Sequence, residues 1–350
     1  MHDEVRRDQP AGPVAAPDPV TGVTPSDARP SAVPLPTLPG PGDDPVPAHP
    51  GEPVEVDGRC LFVRTADGTR PRGEREPALF VHGIGGSSLA WTDVMHLLAD
   101  RLDCESVDLP GFGRSDPPPD DDYSLDGHAR TLARLVEERG RGPVHLVGNS
   151  LGGAVTTRLA SLRPDLVRSL SLVSPALPDL RVRRGGERVL PLLVVPGLQR
   201  LAWRRITALG PEAQARAVLE SSFHDRSRIH PARLAEAAEE VRRRTSLPWA
   251  TDSITLSLRG LVSAYLQRGP ASLWRQAACV EVPVLLVWGR HDRVVDVRLA
   301  ERARRVFPDA RLLVLEDAAH TAQLEQPEAV ARAVLGRLEE ARGLLAPGAA

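Results

Sequence analysis

The chain has 350 residues, 41% of them apolar, enough for one large domain or two ordinary ones with a sizeable core. A formal net charge of -2 excludes a global attraction to nucleic acid or to an anionic membrane surface. No apolar run reaches the roughly 18 residues a transmembrane helix needs, and Cys60, Cys104 and Cys279 fall in no metal-ligand spacing.

Residues 1–53 carry 14 of the 34 prolines and few large apolar side chains, so the expectation there is a disordered or polyproline-like tail. The first ten residues are charged and no apolar stretch follows, so no secretory signal is read. With an odd number of scattered, reduced thiols this points to the cytoplasm.

From residue 54 the pattern is globular. Residues 54–56 and 60–63 alternate across Asp57-Gly58, which predicts a hairpin. Residues 78–81 predict a buried strand ending at His82-Gly83, 91–102 a helix, and 105–109 another strand. Ser124 can cap a helix running to Arg139. A strand over 143–147, a helix over 151–162 and a strand over 170–173 follow. Strands alternating with helices at this spacing predict an α/β fold, a mostly parallel sheet covered on both faces. Between 179 and 271 the alternation stops, and helical patterns recur over 189–206, 212–222, 231–244 and 251–267. The rhythm returns with a strand over 284–288, a helix over 297–306, a strand over 312–315 and a last helix from 328 to about 345. The expected organisation is a tail (1–53), a core in two parts (54–178 and 272–345), a helical cap inserted between them (179–271), and a flexible end (346–350).

Gly148-Asn149-Ser150-Leu151-Gly152 lies between a predicted strand and a predicted helix. A serine on such a turn is strained and exposes its hydroxyl, and a Cβ on either glycine would crowd the strand and helix. A serine hydroxyl is a poor nucleophile without a base, and the base needs a charged partner to orient it. Asp292 follows one apolar strand and His320 the next, so both fall on the sheet edge where Ser150 projects. Asp296 and Asp179 are further candidate acids. His82-Gly83-Ile84-Gly85-Gly86 offers an oxyanion loop, with the amides of Ile84 and Leu151 as the expected donors. His82 itself reads as a residue that holds this loop by hydrogen bonds.

These motifs, with Asp108-Leu109-Pro110-Gly111-Phe112-Gly113-Arg114-Ser115 and Gly289-Arg290-His291-Asp292, give the chain its resemblance to α/β-hydrolase-fold enzymes over residues 54 to 345. The resemblance implies a serine hydrolase with nucleophile Ser150, acid Asp292 and base His320, needing no metal or organic cofactor. The Asp108–Ser115 stretch is then a structural turn beside the pocket.

Three functions stay open at this stage. The first is cleavage of a carboxylic ester of a small to medium, largely apolar substrate. The second is hydrolysis of a carbon–carbon bond in a ring-fission diketone, because similar enzymes with that activity often show Gly-Asn-Ser. Asn149 reads equally as a residue that stabilises the strained turn. The third is a ligand sensor on a hydrolase scaffold. The expected partner is a small-molecule ester or related carbonyl compound. The apolar patch over 190–198 with Trp203, ringed by Arg181, Arg183, Arg184, Arg188, Arg200, Arg204 and Arg205, either packs over the site or touches lipid transiently.

Overall fold

The computed structural model describes residues 26–40, 43–179 and 198–344. Its strands are β1 (Gly51–Val56), β2 (Arg59–Thr65), β3 (Glu76–Val81), β4 (Leu102–Val107), β5 (Val144–Asn149), β6 (Val167–Val173), β7 (Val284–Gly289) and β8 (Ala310–Leu315). They form one sheet in the order β1-β2-β4-β3-β5-β6-β7-β8. β1 and β2 pair antiparallel across a turn in which Asp57 and Gly58 take φ 49° and 72°, the left-handed pair that an Asp-Gly hairpin favours. β2 is antiparallel to β4, and every later pairing is parallel. The fold is the expected α/β class with a mostly parallel sheet.

Period-two alternation sends each strand's side chains to two cores. Leu79 and Val81 of β3, with Val284, Leu286 and Trp288 of β7, pack under α2 (Leu125–Arg139), α3 (Leu151–Leu162) and α9 (Arg298–Val306). Ala78 and Phe80, with Leu285 and Val287, pack under α1 (Thr92–Leu98) and α11 (Pro327–Ala341). Burial on both faces explains why these strands read as continuous apolar runs. The chain leaves β4, crosses β3 and enters β5, so strand order reverses between β3 and β5. A crevice forms at such a switch point, outside the strands' carboxyl ends.

Two differences from the sequence reading have a clear physical cause. The helix expected over 91–102 ends at Leu98, and Leu102 opens β4. The strand expected over 105–109 therefore starts earlier, and Asp103 hid that start, since acids seldom occupy a central strand; Glu105 follows it two residues on. Both side chains are 2% exposed and are neutralised by Arg72 (2.8 and 2.9 Å) and Arg141, with Arg139 at 3.4 Å from Glu105. The other difference is the tail, whose residues 1–25 lie outside the described part. Residues 26–40 and 43–50, expected to be solvated, lie along the core instead. Leu312 N–H donates to Asp27 Oδ1 (2.6 Å) and Val314 N–H to Ser26 Oγ (2.8 Å), so this segment covers the open edge of β8. The strap then crosses α11 so closely that a Cβ on Gly336 would lie 1.9 Å from the Arg29 carbonyl. An extended proline-rich chain loses little entropy on docking, so a few polar anchors suffice.

Between β6 and β7, the described residues form α4 (Leu198–Thr207), α5 (Pro211–Ser222), α6 (Pro231–Thr245), α7 (Ala250–Leu266) and the short α8 (Leu273–Ala277). No strand occurs in this insertion among the described residues. Residues 190–197 of the apolar patch, and Arg181, Arg183, Arg184 and Arg188, lie outside them. Leu198 and Leu201 at the start of α4 are 45% and 51% exposed.

Candidate active site

Ser150 joins β5 to α3 with φ 52° and ψ −117°, a left-handed conformation that costs about 1–3 kcal/mol for a residue with a side chain. The neighbouring backbone holds it there. Ser150 N–H donates to the Val173 carbonyl (3.1 Å), and the Ser150 carbonyl accepts from Ala154 and Ala176 (3.1 and 2.9 Å). A Cβ on Gly148 would lie 2.6 Å from the Gly152 carbonyl oxygen, and one on Gly152 would lie 2.4 Å from that of Val81. The two glycines therefore let strand, turn and helix meet backbone to backbone, as the motif implied.

His320 lies in the loop between β8 and α10 (Ala322–Glu325), with Nδ1 2.9 Å from Asp292 Oδ2. The other oxygen of Asp292 accepts the N–H groups of Val294 and Val295, both at 2.8 Å. The Asp292 side chain is fully enclosed, and that of His320 is 8% exposed. A carboxylate partner fixes the proton on Nδ1 and leaves Nε2 unprotonated in the neutral ring. Among the described residues the carboxylate on His320 is Asp292. Asp296 instead accepts from Arg298 N–H (3.0 Å) and pairs with its guanidinium, and Arg290 pairs with Glu316 at 2.6 Å.

Asn149 connects the two halves of this arrangement. Its Nδ2 donates to the Val173 carbonyl (3.0 Å) and to the His320 carbonyl (3.3 Å), tying the serine turn to the histidine loop. That occupies the Asn149 amide in positioning, in line with the turn-stabilising reading.

The glycine loop closes a turn from Gly86 N–H to the Gly83 carbonyl (3.1 Å), leaving the N–H of Ile84 outside that bond. Leu151 supplies the first N–H of α3, where orphan amides and the helix dipole favour negative charge. Neither amide donates to another described residue. A Cβ on Gly83 would stand 3.2 Å from Ser150 Cβ, so the loop lies directly beside the serine. His82 fixes it from beneath. Its Nε2 accepts from Leu109 N–H (3.0 Å) and its Nδ1 donates to the Gly83 carbonyl (2.7 Å). Two backbone partners of opposite kind dictate the neutral Nδ1–H tautomer, and burial lowers the ring's pKa in the same sense. Asp108 is the structural turn expected of it, accepting Ser88 N–H (2.6 Å) and Arg114 N–H (2.8 Å). Phe112 is 2% exposed, its ring 5.6 Å from that of His82.

Two residues escaped the sequence reading. Glu325, five positions after His320, accepts Ala319 N–H on Oε2 (2.8 Å) and the N–H groups of His224 and Asp225 on Oε1 (2.9 and 2.8 Å). It pins the histidine loop to the insertion, and only a His-x4-Glu spacing hinted at it. Arg244, at the end of α6, donates from Nη1 to the Gly85 carbonyl at 2.8 Å. Beside the acid, the His291 ring stacks on His224 at 3.7 Å and 9°. Among the described residues, no cluster of three or more His, Cys, Asp or Glu side chains could hold a metal ion.

A doubly covered parallel sheet with a serine on a strand-to-helix elbow and an Asp–His pair on the same edge defines the hydrolase class of α/β enzymes. Residues 77–327 match the model of the alpha/beta hydrolase fold family, and the chain belongs to that family as a hydrolase. It is 26% identical to the monoacylglycerol lipase ABHD6 of Homo sapiens over 75% of this chain and 75% of that protein. Two solved structures share the fold. One is a bacterial membrane phospholipase A (TM-score 0.66, 24% identity, 84% of this chain and 86% of that one). The other is a meta-cleavage product hydrolase of Pseudomonas fluorescens (TM-score 0.65, 21% identity, 83% and 98%). No helix among the described residues is long and apolar enough to cross a membrane.

Proposed function

We propose that the protein cleaves a carboxylic ester of a small to medium, largely apolar substrate through an acyl-enzyme on Ser150. The observation that carries this reading is the 2.9 Å contact between His320 Nδ1 and Asp292 on the edge where the Ser150 turn projects. His320 Nε2 takes the serine proton as Oγ attacks the carbonyl, and Asp292 stabilises the imidazolium that results. The amides of Ile84 and Leu151 receive the oxyanion, the latter aided by the α3 dipole. Collapse of the tetrahedral intermediate expels the alcohol, which takes the proton from His320. Water, deprotonated by the same ring, then releases the acid and restores Ser150. The helical insertion acts as a cap over this edge, and the likeness to a monoacylglycerol lipase supports an acyl ester.

The test is turnover of 4-nitrophenyl butyrate by wild type and Ser150→Ala, with labelling by a fluorophosphonate. Loss of about 10³-fold or more in kcat is expected, together with loss of labelling. Unchanged turnover in Ser150→Ala overturns the assignment. Labelling of the wild type without turnover of any ester points to the sensor reading. Turnover of a ring-fission diketone in place of esters points to carbon–carbon cleavage.

A further inference from the structure

The last turn of α6 carries three consecutive arginines, and their partners differ. Arg242 pairs with Glu239 and with Glu212 (3.3 Å), and Arg243 with Glu240 (3.0 Å). Arg244 has no carboxylate within ion-pair distance among the described residues. Among the same residues its one hydrogen bond goes to the carbonyl of Gly85, in the loop beside Ser150. Gly85 adopts φ 71°, and a Cβ there would stand 3.6 Å from Arg244 Nη1 and 3.9 Å from Ile254 Cδ1. Both distances are ordinary van der Waals contacts, so the positive φ and not a lack of space favours glycine here, and they place the guanidinium directly against the loop. Gly83, whose Cβ would lie 3.2 Å from Ser150 Cβ, is two residues away, a span of at most about 7 Å.

A guanidinium has five N–H donors, and a neutral carbonyl satisfies one of them without offsetting the charge. Burial depresses the pKa of Arg244, and the attraction of Glu240 does not restore it. A partly desolvated cation that meets no carboxylate among the described residues is costly to keep, and an anion placed against its remaining donors removes that cost. A helix C-terminus favours any cation, but Arg242 and Arg243 already serve that end while facing their own carboxylates.

We propose that Arg244 recognises a carboxylate on the substrate, so that the preferred esters carry one anionic group close to the scissile bond. This rests on Ser150 being the nucleophile. It identifies Arg244 as a specificity residue contributed by the insertion.

The test compares full-length wild type, Arg244→Gln and Arg244→Lys on two matched pairs of esters. One pair places the charge on the acyl side: mono-4-nitrophenyl pimelate against 4-nitrophenyl heptanoate. The other places it on the alcohol side: 4-carboxyphenyl butyrate against 4-carbamoylphenyl butyrate. The quantity read is the anionic-to-neutral ratio of kcat/KM within each protein, so a fraction of unfolded variant cancels. In wild type the ratio should exceed about 10 for one pair, chiefly through KM, and the pair that shows it identifies the side bearing the charge. Arg244→Gln should lower it about 10-fold or more, and Arg244→Lys should fall between. A neutral preference in both pairs, or a ratio unmoved by Arg244→Gln, overturns the proposal. Calorimetric binding of the two intact anionic esters, mono-4-nitrophenyl pimelate and 4-carboxyphenyl butyrate, to Ser150→Ala reads the same contact without turnover, and equal binding of both with and without Arg244→Gln also overturns it. Arginine-dependent binding with no ester turnover in wild type would keep the anion site and remove the ester reading.

Discussion

The side-chain amide of Asn149 donates to the backbone carbonyl of His320 at 3.3 Å, so the residue before Ser150 holds the loop that carries the imidazole. The same Nδ2 reaches the Val173 carbonyl at 3.0 Å. One side chain therefore joins the ends of β5, β6 and the loop after β8. Asn149→Ala should lower kcat about 10- to 100-fold while KM moves by less than about threefold, because a small displacement of the base spoils proton transfer more than binding. Steady-state kinetics on a short aryl ester read both, and an unchanged kcat would remove the positioning role.

The steric demand at the elbow predicts a sharp contrast between two glycines. In Gly152→Ala the new methyl meets the carbonyl oxygens of Val81 and His82 at 2.4 and 2.6 Å, and backbone cannot move aside cheaply. A loss of about 2 kcal/mol or more is expected in urea unfolding. Gly73→Ala has nothing within 4 Å and should stay within about 0.5 kcal/mol of wild type. Equal midpoints for the two variants would contradict the close packing at Ser150.

Glu325 accepts three backbone N–H groups with two oxygens. Glu325→Gln would turn an N–H₂ toward at least one of those donors. It should destabilise by about 1–3 kcal/mol by chemical denaturation and reduce kcat through the His320 loop. A variant as stable as wild type would show that the carboxylate bridge does not hold the insertion to that loop.

His128 of α2 lies between the core and the insertion, its Nε2 3.3 Å from Ser257 Oγ of α7. Burial, with a smaller contribution from His82, pushes its pKa down to about 4 from the ordinary 6.5. The unfolded chain therefore binds this proton first. The stability it protects is complete above about pH 6.5 and is lost as pH falls toward about 4, a change of order 3 kcal/mol. His145, likewise buried and pushed to about 4, adds to the slope. His128→Gln should show a shallower fall in unfolding free energy between pH 6.5 and 4. A slope equal to that of wild type would refute the buried neutral ring.

Ser26 and Asp27 accept the N–H groups of Val314 and Leu312 on β8, the last strand of the sheet. Deleting residues 1–30 should open that edge to pairing with other chains and raise the oligomer content seen by light scattering. A monodisperse truncated protein would show that β8 needs no cover.

Much of the sheet was legible because strands buried on both faces write continuous apolar runs bounded by glycine and turn residues. The start of β4 was not, because Asp103 and Glu105 become acceptable there only through arginines from elsewhere in the chain. The docked strap over 26–40 and 43–50 escaped for a similar reason. Its composition matches a solvated tail, and its anchors include β8 residues close to 300 positions further along the chain. At the site, Ser150, Asp292 and His320 could be picked out as candidates from their order and their places after apolar strands, and the fold brings Asp292 and His320 together. The contacts of Asn149, Glu325 and Arg244 were not, because each joins segments that only folding makes neighbours.

By itself, then, the sequence determined the α/β class, the elbow at Ser150 and the order of the candidate acid and base, all of which depend on local periodicity and local sterics. The tertiary structure alone decided that Asp292 meets His320, that His82 is a neutral brace, and that Arg244 rests on the loop beside Ser150. Those outcomes depend on distances between groups far apart in the chain, and such distances are set by packing and not by any single segment.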